Sequence, residues 1–538
     1  MIRHLCLLSG LVGIALAQSQ WLSVMGGNSD DRGHCILQVS DGGFMVAGGL
    51  QSYSPAFLRF MLSKFDSVGN HIWTTTVDVS TTDRDYAISL VQTSDGGFAA
   101  SGRTYISYYD MLLVKYDGSG NPQWVRRLVL GDYEYGYSLI EDDDGGIIVA
   151  DRTTTISGNG DVLISKFNSS GTWLWSRRIG GSGDDGAQCI IRTSDGGYAI
   201  AGWTDSYGAG GYDLLVIKFD ASWNISWTKT IGGSGYDLGF SLIQTSDGNY
   251  AILGQTESYG AGGRDIILTM LDASGNHIWT RTIGGAGHDD MGGSLSALYG
   301  GRRLVVQTPD GGLAFIGTTE SYGAGLSDIL VSKFDIGGNR LWSRVLGGTN
   351  YDYGYSITNA SGNTLAIAGM SQSYYFGNWD IVLARLDASG NNCSGSFITP
   401  TVTSPTPTIT SPSLSPVSVT PTVSSPSYTT ATPTPLDSLV CQQSVEVGEQ
   451  KRGPSAQIWA EQGRIIFFLP AESYARLTIY DPTGRMVARP VDGIVQAGEH
   501  EIDLGDHTGS PLQKGVYLVE LDTGARHASS MTAKMVIW

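Results

Sequence analysis

Carboxylates recur at fixed places along this chain, and a carboxylate can bind a hard cation, share acid–base work or accept hydrogen bonds from turn amides. One set stands four residues before a slot filled by Ser or Cys: Asp31, Asp85, Glu134, Asp185, Asp237 and Asp352, with Asp289 at the equivalent place. If these converge, they ring the mouth of a channel and offer oxygens to a cation such as calcium, or to a polyhydroxyl ligand. The competing reading is that each holds its own turn, as a repeated residue in a repeated turn commonly does. EF-hand spacing is absent, so no calcium loop is assigned and no cofactor is implied. A second row, Asp110, Asp161, Asp213, Asp265, Asp328 and Asp380, with Arg59 in the first repeat, admits the same two readings.

One position differs from repeat to repeat: Gly49, Arg103, Arg152, Trp203, Gln255, Thr318 and Met370. Scaffold positions repeat themselves, whereas a position that reads a ligand varies. Arg103, Arg152, Trp203 and Gln255 come from consecutive repeats and would form a polar–aromatic patch, extended by Tyr207, Tyr259 and Tyr322 with Asp205, Glu257 and Glu320. Aromatic faces beside carboxylates suit a sugar or a peptide; drift at a tolerant packing position is the alternative. His34, His71, His277 and His288 have no triad-like context, no Cys/His set has zinc spacing, and no catalytic residue is assigned.

The elements that must position these side chains are short strands. In Ser194–Trp227 β-like runs alternate with turn signals, and the pattern recurs about every 50 residues. A DGG-type turn at Asp41, Asp95, Asp144, Asp195, Asp247, Asp310 and Ser361 joins the first two strands of each unit. A DASGN-like turn joins the last two, and Trp73, Trp124, Trp175, Trp227, Trp279 and Trp342 follow it. The last repeat lacks its tryptophan, but Trp21 carries that pattern with no strands before it. The reading is an all-β, seven-bladed β-propeller over 18–394, closed by the N-terminal strand pairing beside the strand that ends at Asp387. Repeat six carries an insertion near Met291–Arg303. Cys35 and Cys189 fill the serine slot on well-separated strands and should not pair.

These repeats, with DGGYxIxGxT and DxxLxKxDxxGNxxW signatures, resemble the secreted bacterial β-propeller repeat family, which implies the fold and no particular chemistry. The turn Thr193–Gly197 resembles half of a sialidase Asp-box, but Ala199-Ile200 stand where Thr-Trp should follow.

The remaining segments speak to destination. Met1–Ala17 has a basic start, an apolar run and a small-residue cleavage site, the pattern of a secretory signal peptide. No segment is long and apolar enough for a membrane helix. The net charge of −18 argues against a nucleic-acid partner. Residues 395–440 are almost all Thr, Ser, Pro and Val and are expected as an extended spacer, on the order of 100 Å if fully drawn out. Cys393 and Cys441 flank it and could bridge it. Residues 441–538 are expected as an Ig-like β-sandwich with strands Gln457–Leu469, Ala475–Tyr480, Glu499–Leu504, Gly515–Leu521 and Thr532–Trp538. Within it, ARLTIYDPTGRMV, LQKGVYLVELDTG and the terminal TAKMVIW resemble the type IX secretion C-terminal sorting domain and flagellar-hook-cap Ig-like modules. That resemblance implies recognition by an outer-membrane translocon. The sequence therefore reads as an exported cell-surface or extracellular binding module for polysaccharide or a surface protein. A surface polysaccharide hydrolase or lyase, and a purely structural surface-layer component, are the alternatives.

Overall fold

The computed structural model describes residues 20–52, 57–79, 84–106, 108–130, 133–154, 159–292, 303–374 and 378–392. Beyond these it describes strands between 396 and 443, by backbone alone, and strands within 457–537. The signal segment 1–17 and Cys393 lie outside this description, as does the side chain of Cys441. The chain divides into two compact units, 18–443 and a C-terminal unit from Ser444.

The first unit is all-β, built from small antiparallel sheets, with no helix among the described residues. Repeat four shows the plan: Asp185–Arg192, Tyr198–Thr204, Asp213–Phe219 and Ile225–Gly232 pair in that order. The two central strands are buried along their whole length, and the fourth alternates, as strands packed on two faces and on one should. Five of these turns, at Asp41, Asp95, Asp144, Asp195 and Asp310, carry a second device that the turn chemistry alone does not announce. The lysine near the end of the third strand folds back to its aspartate, as in Lys218–Asp195 at 2.8 Å and Lys115–Asp95 at 2.8 Å. The Lys333 ammonium and the Thr308 hydroxyl hold Asp310 down to about 2.

Successive repeats are joined by the tryptophans. Each lies against the glycine of the next repeat's last turn: a Cβ on Gly171 would come within 2.7 Å of Trp124, and one on Gly338 within 3.0 Å of Trp279. These glycines have φ near +80°, so the turn needs them twice over, for its backbone and for the ring above it. The indole N–H then donates to the turn, from Trp124 to Ser169 O at 3.0 Å and from Trp279 to Ile336 O at 3.1 Å. Repeat four breaks the rule: Trp223 replaces the glycine at φ 66° and meets Trp175 edge-on at 5.1 Å.

Gln20–Gly26 pairs antiparallel with Asp380–Leu386, Trp21 opposite Arg385. Trp21 is fully buried over Gly69 and edge-on to Phe44 at 5.6 Å, so the N-terminal strand joins the last repeat to the first. On the inner side, Gln38 Oε1 accepts from Ser361 N at 2.8 Å across the same junction. Glu141, Gln244 and Gln307 likewise take the turn amides of Ser94, Ser194 and Ser246 from the preceding repeat.

The Pro/Thr/Ser segment is not the free spacer its composition suggests. Short strands Ser396–Phe397, Thr401–Thr403, Thr408–Thr410, Val417–Val419, Thr422–Ser424 and Thr429–Ala431 pair with the outer strands of repeats six, five, four, three, two and one. Leu436–Gln443 then pairs with Gln20–Gly26. The segment therefore runs back around the array as a belt, adding one more strand to each sheet. The physical reason is that every outer strand presents unpaired amides and carbonyls, and β-prone Thr/Val triplets between prolines can satisfy them in short pieces.

The C-terminal unit has a three-stranded sheet (Gln457–Glu461, Arg464–Leu469, Gly498–Asp503) and a four-stranded one (Met486–Val495, Ser473–Tyr480, Gly515–Asp522, Met531–Ile537). The expected single strand Gln457–Leu469 is thus a hairpin. Met486–Val495 is an additional strand; it pairs on one side only, as Pro490 permits, and alternates in exposure.

Trp21→Ala should cost about 3–5 kcal/mol, the range for emptying a buried aromatic site, read as a lower denaturant midpoint; the half-buried Trp124→Ala should cost less. Amides within 401–403, 408–410 and 417–419 should exchange slowly with deuterium, whereas a free spacer would exchange at the rate of an unstructured peptide.

Candidate functional site

The carboxylates expected to ring a channel are instead sealed inside their own junctions. Asp31, Asp85, Glu134, Asp185, Asp237, Asp289 and Asp352 are all buried. Asp237 Oδ2 accepts from Gly233 N at 2.8 Å and from Ser258 Oγ at 2.6 Å, tying the loop before its strand to the loop after the next one. Asp185 does the same with Gly181 and Ser206, Asp289 with Gly285 and Ser321, and Asp352 with Gly348 and Ser373. Asp31 accepts from Gln51 N and the Ser52 hydroxyl, Asp85 from Val79 N, and Glu134 from Thr153 Oγ1. No three-carboxylate or mixed His/Cys/Asp/Glu cluster able to hold a metal occurs among the described residues. The bonds each carboxylate makes hold the loops beside its own strand, while a second oxygen of Asp185, Asp237 and Asp289 is buried with no hydrogen bond among the described residues.

The second row lies beside the first across each repeat junction. Asp213 and Asp237 flank Gly232, Asp265 and Asp289 flank Gly284, and Asp328 and Asp352 flank Gly347. Burial, then the neighbouring carboxylate, raises Asp213, Asp265 and Asp328 to about 6 against partial relief from loop amides. Asp110 and Asp161 instead meet arginines, Arg127 at 2.5 Å and Arg178 at 3.1 Å.

The variable position is explained by its cross-strand partner on the inner strand. Gly49 lies opposite Arg32, Arg103 opposite Tyr86, Trp203 opposite Gly186, Gln255 opposite Leu238 and Met370 opposite Tyr353. In two of these pairs, Arg32 with Gly49 and Trp203 with Gly186, a large side chain faces a glycine, and a Cβ on Gly186 would lie 2.4 Å from the Trp203 ring. Arg103 is buried with its guanidinium over Tyr109 at 4.0 Å, Tyr86 at 4.5 Å and Tyr135 at 5.1 Å. Trp203 enters the same aromatic cluster with Tyr86, Tyr135, Tyr137, Leu58 and Ile88. Arg152 is bound by Asp184 through Nε at 2.9 Å, and Gln255 is buried. The proposed patch thus converges, but as packing. Tyr259 and Tyr322 are likewise occupied, their hydroxyls donating to Gly232 O at 2.7 Å and Gly284 O at 2.9 Å. Tyr207 is half-buried against Gly181, while Asp205, Glu257 and Glu320 stay exposed.

Asp151 is a residue the sequence pattern passes over. It stands where the other repeats have Gly48, Gly102, Gly202, Gly254, Gly317 and Gly369, and at Gly202 a Cβ would come within 1.9 Å of Gly186 O. Repeat three accommodates it by splitting its inner strand into Tyr133–Glu134 and Ser138–Glu141, with Gly136 at φ 61°. The Asp151 carboxyl enters the gap and accepts from Tyr135 N and Gly136 N, both at 2.8 Å. Full burial raises it to about 7. The readable signal was the one acid in a glycine column.

Besides the exposed acids Asp205, Glu257 and Glu320, several aromatic side chains remain accessible. Tyr351, Tyr353 and Trp379 form a row, with Tyr353 and Trp379 stacked at 5.2 Å and Tyr351 37% exposed. Tyr108, equally exposed, meets Tyr133 edge-on at 5.6 Å, and Tyr236 is 50% exposed beside Tyr212. Tyr108, Tyr212, Tyr236, Tyr351 and Trp379 lie on the loops joining a repeat's second strand to its third or leading into the next repeat, and Tyr133 and Tyr353 at the starts of the inner strands those loops lead into.

No family model and no curated protein matches the chain. Among solved structures, polysaccharide lyase Uly1 is similar over 66% of this chain and 90% of its own, at 11% identity and TM-score 0.41. PorZ, described as a bacterial surface component of the type-IX secretion system of Porphyromonas gingivalis, is similar over 95% of this chain and 60% of its own, at 10% identity and TM-score 0.37. The periplasmic gluconolactonase PpgL of Pseudomonas aeruginosa covers 62% of this chain and 98% of its own, at 12% identity and TM-score 0.39.

The raised carboxyls set a pH dependence. Asp213, Asp265 and Asp328 hold protons in the folded chain up to about 6 but release them near 3.8 when unfolded. Their favourable contribution is complete below 3.8 and is lost as pH rises through 6. The thermal midpoint should therefore be higher at pH 5 than at pH 7.5, and Asp213→Asn, Asp265→Asn and Asp328→Asn together should flatten the difference.

Proposed function

We propose that the chain is an exported binding module: a seven-bladed β-propeller closed by Gln20–Gly26, whose loop face takes polysaccharide on its aromatic side chains. The observation that carries this is the aromatic group Tyr351, Tyr353 and Trp379, in which Tyr353 and Trp379 stack and Tyr351 is tilted to both and open to solvent. Flat ring faces take up the C–H faces of sugars at low cost in side-chain entropy, and Tyr108, Tyr133 and Tyr236 extend the same chemistry around the face. The exposed acids Asp205, Glu257 and Glu320 offer hydroxyl acceptors between them. A surface protein is the other partner such a face would suit. The hydrolase or lyase alternative is weakened by the burial of the carboxyls with raised affinity for protons, Asp151 above all, away from any substrate. In this reading residues 1–17 direct export. The C-terminal unit, an Ig-like sorting domain, is recognised by the secretion translocon and leaves the protein at the cell surface or outside it.

Affinity electrophoresis of the full chain through gels containing different polysaccharides tests the reading. At least one polysaccharide should retard the protein, and Tyr351→Ala with Trp379→Ala should weaken that retardation at least tenfold, as expected for losing two ring contacts of about 1 kcal/mol each. Absence of retardation by any polysaccharide, or retardation indifferent to the double variant, would overturn it.

A further inference from the structure

The inner strands leave a cavity of about 480 Å³ between them, on the opposite side of the buried aromatic cluster from the loops. All seven repeats contribute to its lining, from the Ser/Cys slot to the last residue of the strand. Nine of its nineteen lining residues are Leu, Ile or Val. The slot side chains are already engaged: Ser138 Oγ accepts from Ile190 N at 3.1 Å and Ser241 Oγ from Leu304 N at 3.1 Å, each stitching one inner strand to the next. Among the lining residues there is no Asp or Glu, in a chain whose net charge is −18. There are two arginines, Arg192 and Arg303. Arg192 is neutralised by Asp143. Arg303 has no carboxylate partner among the described residues.

Two observations place the Arg303 charge inside the cavity and fix its base. It lines the cavity together with Cys35 of repeat one and Cys189 of repeat four, and its positive charge works against the rise that burial imposes on both thiols. Its own carbonyl accepts from Ile357 N at 2.8 Å, anchoring the backbone to repeat seven. Arg303 takes the place that in other repeats is a bulged residue of the inner strand: His34, Ile88, Gln188, Phe240 and Tyr355. A bulge re-aims one side chain out of the strand's alternation. Those residues are buried; Arg303 is exposed. Gln188, fully buried at the equivalent place, has neither amide atom hydrogen-bonded, so the interior next to Cys189 also holds an unsatisfied polar group.

We infer that this central cavity is a binding site for a small organic monoanion, a carboxylate with an apolar body, held by Arg303. An unpaired guanidinium offers a planar fork matched to a carboxylate, and the apolar walls reward a ligand that is more than its charge. The cavity volume is within the range of small-ligand pockets. This site is independent of the loop-face reading.

The test uses calorimetric titration of the full chain with hexanoate, with hexanol as the neutral match and sulfate as the anion without an apolar body. Hexanoate should bind at least tenfold more tightly than either. Arg303→Gln should lose that preference, Arg303→Lys should retain part of it, and Arg192→Gln should change hexanoate affinity less than threefold. In the unmodified chain, hexanoate should also slow alkylation of Cys35 and Cys189 by a small thiol reagent, mapped by mass spectrometry, which needs no variant to fold. Equal binding of hexanol, equal binding of sulfate, unchanged affinity in Arg303→Gln, or cysteine alkylation indifferent to hexanoate would each overturn the inference.

Discussion

An indole lying on a glycine is the contact the first unit depends on. In nearly every repeat the outer-strand tryptophan covers the last turn of the next repeat, close enough that no Cβ fits beneath it. The N–H bonds the turn carbonyl, and in several repeats an arginine two residues on adds a second bond to the same turn, as Arg126 does to Gly171 O at 2.6 Å. A single repeat cannot bury its own faces, so this contact turns a string of hairpins into a packed body. Trp21 makes it between the last repeat and the first, which is why a strand of seven residues at the N-terminus matters as much as any repeat.

The second constraint is what to do with so many acids. The chain keeps them in two ways. On the hairpin side, aspartates of the DGG turns are paired with lysines and held ionised. At the junctions, aspartates are buried in neighbouring pairs and, where no arginine reaches them as at Asp213, Asp265 and Asp328, are relieved by loop amides, so that these favour the neutral form. Burying a carboxyl is costly unless its lone pairs find donors. Here the donors are the loops themselves, and the same bonds that relieve the charge fix the loops that carry the exposed aromatic rows.

Composition and context pull against each other in the Thr/Pro segment. Judged alone, it cannot bury a core and should remain extended and solvated. Placed beside a row of open sheet edges it has partners every few residues, and its prolines fall between the short strands that use them. Pairing of this kind also removes the raw edges that an array of sheets would otherwise present to other chains.

The sequence by itself determined the repeat, its turns, the displaced tryptophan and the strand that Trp21 belongs to, because period, Gly-containing turns and aromatic spacing are local and each copy confirms the last. It also showed which positions carry acids and which vary. Only the tertiary structure decided what those positions do. Arg103 is taken up by the rings of Tyr86, Tyr109 and Tyr135, and Trp203 by the space over Gly186, contacts that no single column reveals. Asp237 holds a turn because Gly233 N and Ser258 Oγ donate to it, and Arg303 lines a cavity with no acid among its described lining residues. Residue type and spacing fix what a side chain is able to do; which groups surround it, and so which of those abilities is used, depends on contacts between residues far apart in the chain.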